Sequence, residues 1–584
     1  MNALASLVSA YERMQNAPPF GYSVEKIGFE IVLNADGSLA CPPIDRREGD
    51  GKNRVPKLML VSQPGKRTSG IAPNFLWDKT SYVLGVTAGE RRRTTKEHAA
   101  FVARHKEALK NNEDVGLRAL LRFLESWKSK DFDRFDWPAE MKDQNIVFSL
   151  ESDWLNDIHV HDRPAARALW ARLNAKNDAP MCVCLVSGER APLARLHPPI
   201  KGVWGAQQAG ASIVSFNLDA FTSYGHTQGE NAPISEAAAF AYTTALNRFL
   251  EKGSGQRVQI GDASTVFWAD ARDPAIRSEA EGLFFALLGG AKVDETSEAK
   301  KIGAILVAIR RGEPLENLTS NLPLGVRFSV LALAPNAARL SIRFFIDGDF
   351  RQLVKRYLDH VDRMRIEPPP REQALPFWRL LIETAAQRKS ENIPPQLASG
   401  WLRAILTGTP YPLTLLSTIL MRIGADHDVN ALRAGMIRAV LVRNFTSKTE
   451  APMALDSDND DPGYVLGRLF AILETTQRLA LGGGNASIKD CYYGAASATP
   501  RRIFPLLLRM NMHHQRKAKG EVKGLVTYYM KQLSDVMNKL PTEFPASLNL
   551  QNQGTFALGY FHQINQRKST DAVGVDTKSK ELFS

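Results

Sequence analysis

The sequence predicts an α+β protein, with an N-terminal mixed α/β, sheet-containing region followed by a C-terminal helical bundle. Three observations carry this. Apolar and polar residues alternate with the period of strands over Ile27–Leu33, Arg327–Leu333 and Arg339–Ile346, and VPKLMLV over Val55–Val61 reads as a further strand. Glu367-Pro368-Pro369-Pro370 is the clearest linker in the chain, and the strand pattern fades beyond it. The 584 residues exceed one ordinary core, at roughly 100–200 residues per domain. The reading divides them into 1–150, 151–365 and 366–584.

The elements follow in order. Leu4, Leu7, Val8, Tyr11 and Met14 share one helical face. Asp36-Gly37 is a hairpin signal. Helices are expected at Thr95–Leu109 and Val115–Trp127, and a strand at Met181–Val186. In Ser212–Leu250, Val214, Phe216 and Leu218 alternate as a half-buried strand, and a polar loop follows over Thr222–Asn231. Ser235 is placed to cap a helix that buries Ala239, Tyr242, Leu246 and Phe249. The strands at 327–333 and 339–346 join through Pro335-Asn336, with Leu340, Ile342, Phe344 and Ile346 on one face, and a helix follows over Asp349–Val361. Beyond the linker, helices are expected at Trp378–Lys389, Gln396–Thr407, Tyr411–Gly424, Asn430–Asn444, Gly463–Leu481 and Lys519–Asn538, and the tail after Gln566 is polar and expected to be disordered.

Charge narrows the partner. Lys and Arg exceed Asp and Glu by 12, with a pI near 9.4, which favours a polyanion such as nucleic acid. Three stretches concentrate the charge. Gly65-Lys66-Arg67-Thr68-Ser69-Gly70 sets two cations and two hydroxyls between glycines, a composition that brings N–H groups, hydroxyls and cations onto phosphates. It is not a Walker loop, because position 60 is Leu and Arg67 follows the lysine. Arg91-Arg92-Arg93 is a second dense run, suited to a phosphate track. From Arg501 to Lys539 the cations include Arg501, Arg502, Arg509, Arg516, Lys517, Lys519 and Lys523, with Tyr528 and Tyr529 among them; cations interleaved with aromatics suit a single strand and its bases.

Metal and cofactor signals are weak. His159-x-His161-Asp162 resembles part of a metal-nuclease pattern, but Arg163-Pro164 follows at once and no further ligand is recognisable, so no metal site is expected. A calcium loop starting at Asp456 would need Gly at 461 and Glu at 467, where Asp and Gly stand; Asp456–Asp461 reads as a polar linker and helix cap. Cys182 and Cys184 lack a second pair, and buried thiols in a reducing compartment are expected. No signal peptide is visible, and no apolar run approaches the roughly 20 residues of a membrane span, so a cytoplasmic protein without membrane contact is expected.

Runs of consecutive residues carry a resemblance. SFNLDAFTSYG (215–225) and QGENAPISEAAAFAYTTALN (228–247) resemble the signature of the large subunit of the type I-C CRISPR effector complex, Cascade. PNFLWD (73–78) with YVLG (82–85), SGERAPLARLH (187–197), GYVLGRLFAILE (463–474) and ASIKDCYYGAASATPRRIFPLLLRM (486–510) are similar to the same family. The resemblance implies a non-catalytic subunit of a guide-RNA (crRNA) complex that works with backbone, small and guide-end subunits. Such a subunit binds the short duplex motif beside the target (the PAM), promotes unwinding and R-loop formation, holds the displaced strand and helps recruit a helicase–nuclease. It places the PAM contacts near Lys66, Arg67, Thr68, Ser69 and Asn74. It also implies that the C-terminal part resembles the Cascade small subunit and can be made separately from an internal start, for which Met453 is best placed. The alternative is a stand-alone metal-dependent nuclease; a scaffold that binds only proteins is a third reading. No cofactor is expected.

Overall fold

The computed structural model describes residues 2–49, 54–65, 70–89, 93–175, 179–289, 325–371, 375–445, 451–482, 487–518 and 523–566, with 303, 304, 307, 308 and 313. The chain forms two compact units. One comprises Leu7–Pro198 and Ser215–Ala245; the other comprises Met1–Ser6, Pro199–Val214 and the chain from Leu246 onward. The described strands end at Asp349, and the elements after it are helical, as the α+β prediction requires.

The first unit holds a four-stranded sheet in the order β3-β2-β6-β5. Strands β2 (Phe29–Leu33) and β6 (Asn145–Leu150) pair in parallel at its centre, flanked by the short antiparallel strands β3 (Ile44–Asp45) and β5 (Asp78–Lys79). Strand β1 (Tyr22–Ile27) pairs instead with β4 (Lys57–Ser62). The strand expected over 27–33 is thus β2 from Phe29 onward, while Ile27 ends β1 in the other sheet. The break falls at Gly28, where a Cβ would stand 2.7 Å from Gln144 Oε1. Gly37 takes φ +89° in the expected turn. The Val115–Ser126 helix, capped by the Asp114 carboxylate on the N–H groups of Gly116 and Leu117, buries Leu117, Leu120 and Leu124 in the core that includes β2 and β6 residues.

Two expectations fail here. The strand at 181–186 stops at Val183, where β7 (Met181–Val183) pairs with β8 (Arg190–Pro192). Cys184 turns out of the strand: its N–H reaches Glu189 O and its carbonyl accepts from Gly188. All four cysteines are free thiols, but only Cys184 is buried, and Cys491 is exposed. The alternating stretch 214–218 is not a strand. Ser212 O accepts the Leu340 N–H, and beyond it no described residue supplies a ladder. The chain passes from one unit to the other between Val214 and Ser215, and Leu218 is exposed. Alternation makes a strand only where a neighbouring backbone is there to pair. The following helix, Glu236–Leu250, starts as expected, with Ser235 Oγ accepting the Ala238 N–H, and buries Ala239, Tyr242, Leu246 and Phe249.

The second unit is built on an antiparallel sheet in the order β12-β11-β10-β9. Strands β11 (Arg327–Asn336) and β12 (Arg339–Asp349) match the expected pair, but the turn is Ala337-Ala338, since Pro335 and Asn336 still pair with Leu340 and Arg339. A bulge beside Ala332/Leu333 sets Phe344 opposite Ala332 and Ile342 opposite Leu333. Phe344 and Ile346 therefore join the core, whereas Ile342 is exposed, so the four apolar residues do not share one face. Strand β9 (Arg257–Ile260) alternates over only four residues, with Val258 and Ile260 buried, and β10 (Ala263–Asp270) carries no alternation, being buried from Ala263 to Ala269.

Helices follow at Phe350–Arg363, Phe377–Ile382, Pro395–Thr407, Leu413–Asp426, Ala431–Asn444, Pro462–Leu481, Ile488–Ala498, Pro500–Ala518, Lys523–Met537 and Leu550–Ile564. The expected helix 378–389 ends early, at Ile382. One hydrophobic core runs from Val258 to Phe561, through the sheet and across the proline-rich stretch into the helices. Asp461 caps the Pro462–Leu481 helix by accepting the Tyr464 N–H, the cap expected of the Asp456–Asp461 run. Among the described residues, no helix is long and apolar enough to cross a membrane.

Candidate nucleic-acid interface

The loop at Lys66, Arg67, Thr68 and Ser69 lies outside the described residues, but both of its flanks are fixed. On one side, the Gln63 N–H donates to Gly21 O, and Ser62 Oγ donates to Phe75 O at 2.6 Å. On the other side, residues 73–78 form a rigid knuckle. Arg104 holds the Pro73 carbonyl. The Asn74 N–H donates to Asp78 Oδ2 at 2.8 Å, and Asp78 is fully buried. Leu76 sits at φ +65°, with its N–H on His105 Nε2 at 2.9 Å. Phe75 stacks on His105 and Trp170. Burial holds the His105 pKa down to about 4, so the ring is neutral and free to accept that N–H.

Asn74, expected at the DNA, is instead 4% exposed, and its Oδ1 is buried without a hydrogen-bond partner. Its backbone N–H is held by Asp78. Of the second run, Arg91 and Arg92 lie outside the described residues, and Arg93 is exposed beside the first turn of the Thr94–Leu109 helix.

The C-terminal cations are ordered by one helix. Pro500–Ala518 buries Phe504, Leu507, Asn511 and Ala518 on one side. Arg502, Arg509 and Arg516 recur every seventh residue on the exposed side, a stripe about 21 Å long at 1.5 Å per residue. Arg501 and Lys517 are also exposed; Arg501 is engaged by Glu543 at 2.6 Å. Lys519 lies outside the described residues, and Lys523 begins the Lys523–Met537 helix. Tyr528 and Tyr529 pack edge to face on that helix, and Tyr529 is partly buried against the core.

The structure adds one residue that composition did not single out. Tyr224 is 99% exposed at φ +53°, in the polar loop braced by Thr227 and Glu230. Its signal in the sequence is only an aromatic flanked by Ser223 and Gly225, which does not distinguish a core residue from an exposed one. His159, His161 and Asp162, between which no further ligand was recognisable in the sequence, come together on one turn.

A family model described as a CRISPR-associated protein, Cas_Csd1, matches residues 7–568. No curated protein matches the chain.

Proposed function

The chain belongs to the CRISPR-associated Cas_Csd1 family, and as a member of a Cascade-type complex we propose that it acts as the type I-C large subunit. In this reading it is a binding protein: it engages the PAM duplex, promotes opening of the target and holds the displaced strand, while the guide RNA carries the sequence information by base pairing. The near-full-length family match carries the reading. The exposed arginine stripe on Pro500–Ala518 supports the strand-holding part, because guanidinium groups at regular spacing neutralise successive phosphates. The fixed flanks of the Lys66–Ser69 loop support the PAM part, with Lys66 and Arg67 making the contacts and Asn74 bracing them. Tyr224 offers a free ring for stacking on an unpaired base beside the opening duplex. Exposed Met181, Val183 and Leu185 on and beside β7 fit a chain that docks on other subunits before the helicase–nuclease arrives.

The test is reconstitution. A guide-RNA complex assembled with the chain binds a PAM-bearing duplex and opens it, read by permanganate reactivity of the unpaired thymines. The complex without the chain does neither. Equal opening with and without the chain would refute the proposal.

A further inference from the structure

His159 stands at the N-terminal edge of the Val160–Asp162 turn, bridged to Ser149 of β6. His159 and His161 are buried and stacked, with ring centroids 5.2 Å apart. Asp162 Oδ2 lies 3.1 Å from His159 Nδ1 and 3.7 Å from His161 Nε2. One ligand atom from each of the three residues lies within 4.8 Å of the others. We infer that His159, His161 and Asp162 form a structural site for a zinc-class divalent cation.

His159 Nδ1 and Asp162 Oδ2 are hydrogen-bonded at 3.1 Å, and a cation would take the place of the proton they share. Ligands about 2.0–2.1 Å from a tetrahedral zinc stand about 3.4 Å from one another. The two separations to Asp162 bracket that value, and no two of the three ligand atoms stand more than 4.8 Å apart, so a small closure of the turn brings all three onto one ion. The outer shell is also in place. His159 Nε2, buried and without a hydrogen-bond partner, faces Glu30 Oε1 at 3.6 Å, just beyond hydrogen-bond distance, so a carboxylate stands behind the histidine as it does behind many metal ligands. Glu30 is itself fully buried and held by Arg46 and Ser149. Arg167 takes Asp162 Oδ1 and leaves Oδ2 to the cluster.

The site is structural. Both imidazoles are almost wholly buried, which leaves a phosphodiester no approach to the ion. An ion there ties the turn after β6 to β2 through Glu30. The Asp and two His supply three donors, one fewer than a closed structural site, and a water shut in by the burial of both imidazoles would take the fourth position.

The experiment uses the full, untagged chain, stripped with a chelator and titrated with Zn(II) and Co(II). The expected result is one ion per chain, the visible absorption bands of tetrahedral Co(II), and a raised melting temperature. Glu30→Gln, which leaves all three ligands in place, should weaken affinity about 10–100-fold. His161→Ala should abolish the Co(II) bands. Absence of stoichiometric uptake by the wild-type chain would overturn the assignment, whatever the variants do. So would uptake unchanged in both variants, or binding of Mg(II) alone.

Discussion

His105 Nε2 accepts the backbone N–H of Leu76 at 2.9 Å. That bond holds a leucine in the left-handed region, at φ +65°, directly behind the loop proposed to meet the PAM. The acceptor exists only while the ring is neutral. Its pKa is about 4 in the fold against 6.5 for an ordinary histidine. Between these values the unfolded chain binds the extra proton, so stability is full above about pH 6.5 and is lost as pH falls toward 4, by roughly 3 kcal/mol in all. His105→Asn keeps an acceptor and gains no proton. Its melting temperature should fall less between pH 7 and pH 5 than that of the wild type; an equal fall in both would refute this role for His105.

Gly467 governs the C-terminal helices. A Cβ there would stand 2.0 Å from Phe556 O, and one at Gly559 would stand 2.0 Å from Tyr464 O. The Pro462–Leu481 and Leu550–Ile564 helices therefore pack backbone against backbone. Gly467→Ala should cost about 3 kcal/mol or more in urea unfolding, despite the better helix propensity of alanine. Gly494→Ala, on an open helix face, should be neutral or stabilising.

The arginine stripe makes a salt-dependent prediction. Replacing Arg502, Arg509 and Arg516 by Ala should weaken single-stranded DNA binding by the chain. It should also flatten the slope of log affinity against log salt by about 2, at roughly 0.7 for each phosphate that is no longer neutralised. Fluorescence anisotropy of a labelled oligonucleotide over a salt series reads both. An unchanged slope would move the displaced strand elsewhere.

Much of this fold was legible in the sequence, and the exceptions have physical causes. The helices beyond residue 390 were readable because each buries one stripe against a shared core, as at Leu397, Trp401, Leu402 and Ile405. Strand β10 was not, because it is buried on both faces and has no period to show. Strand-like alternation at 214–218 misled because period alone does not supply a partner. The cationic loop was visible as composition, but the burial of Asn74 depends on Asp78 and the surrounding knuckle, which no local pattern announces. The burial of His159 and His161 was not legible, because Glu30, which faces His159, arrives from a distant strand.

The expectation that the C-terminal part resembles the Cascade small subunit makes a further prediction. Met453 lies in the polar stretch before the Pro462–Leu481 helix, and a product from Met453 onward keeps that helix, its partner Leu550–Ile564 and the arginine stripe. Expression of the intact gene should yield a second species of that mass, absent in Met453→Leu. The fragment should be helical, but it exposes the face of Gly554 that Leu416, Ile437 and Leu441 cover in the full chain, which favours association. Mass spectrometry decides: if the same small species persists in the variant, the start lies elsewhere.

In the proposed function, PAM recognition runs through Lys66 and Arg67 of this chain. The direct measurement is target affinity of the reconstituted guide-RNA complex carrying the Lys66→Ala, Arg67→Ala double variant, on duplexes that differ only in the PAM. Without its base contacts, the complex should bind the PAM-bearing duplex at least tenfold more weakly, at about 1–3 kcal/mol for each base-reading side chain, and the PAM-less duplex little differently. Full affinity and full PAM discrimination in the double variant would contradict the account.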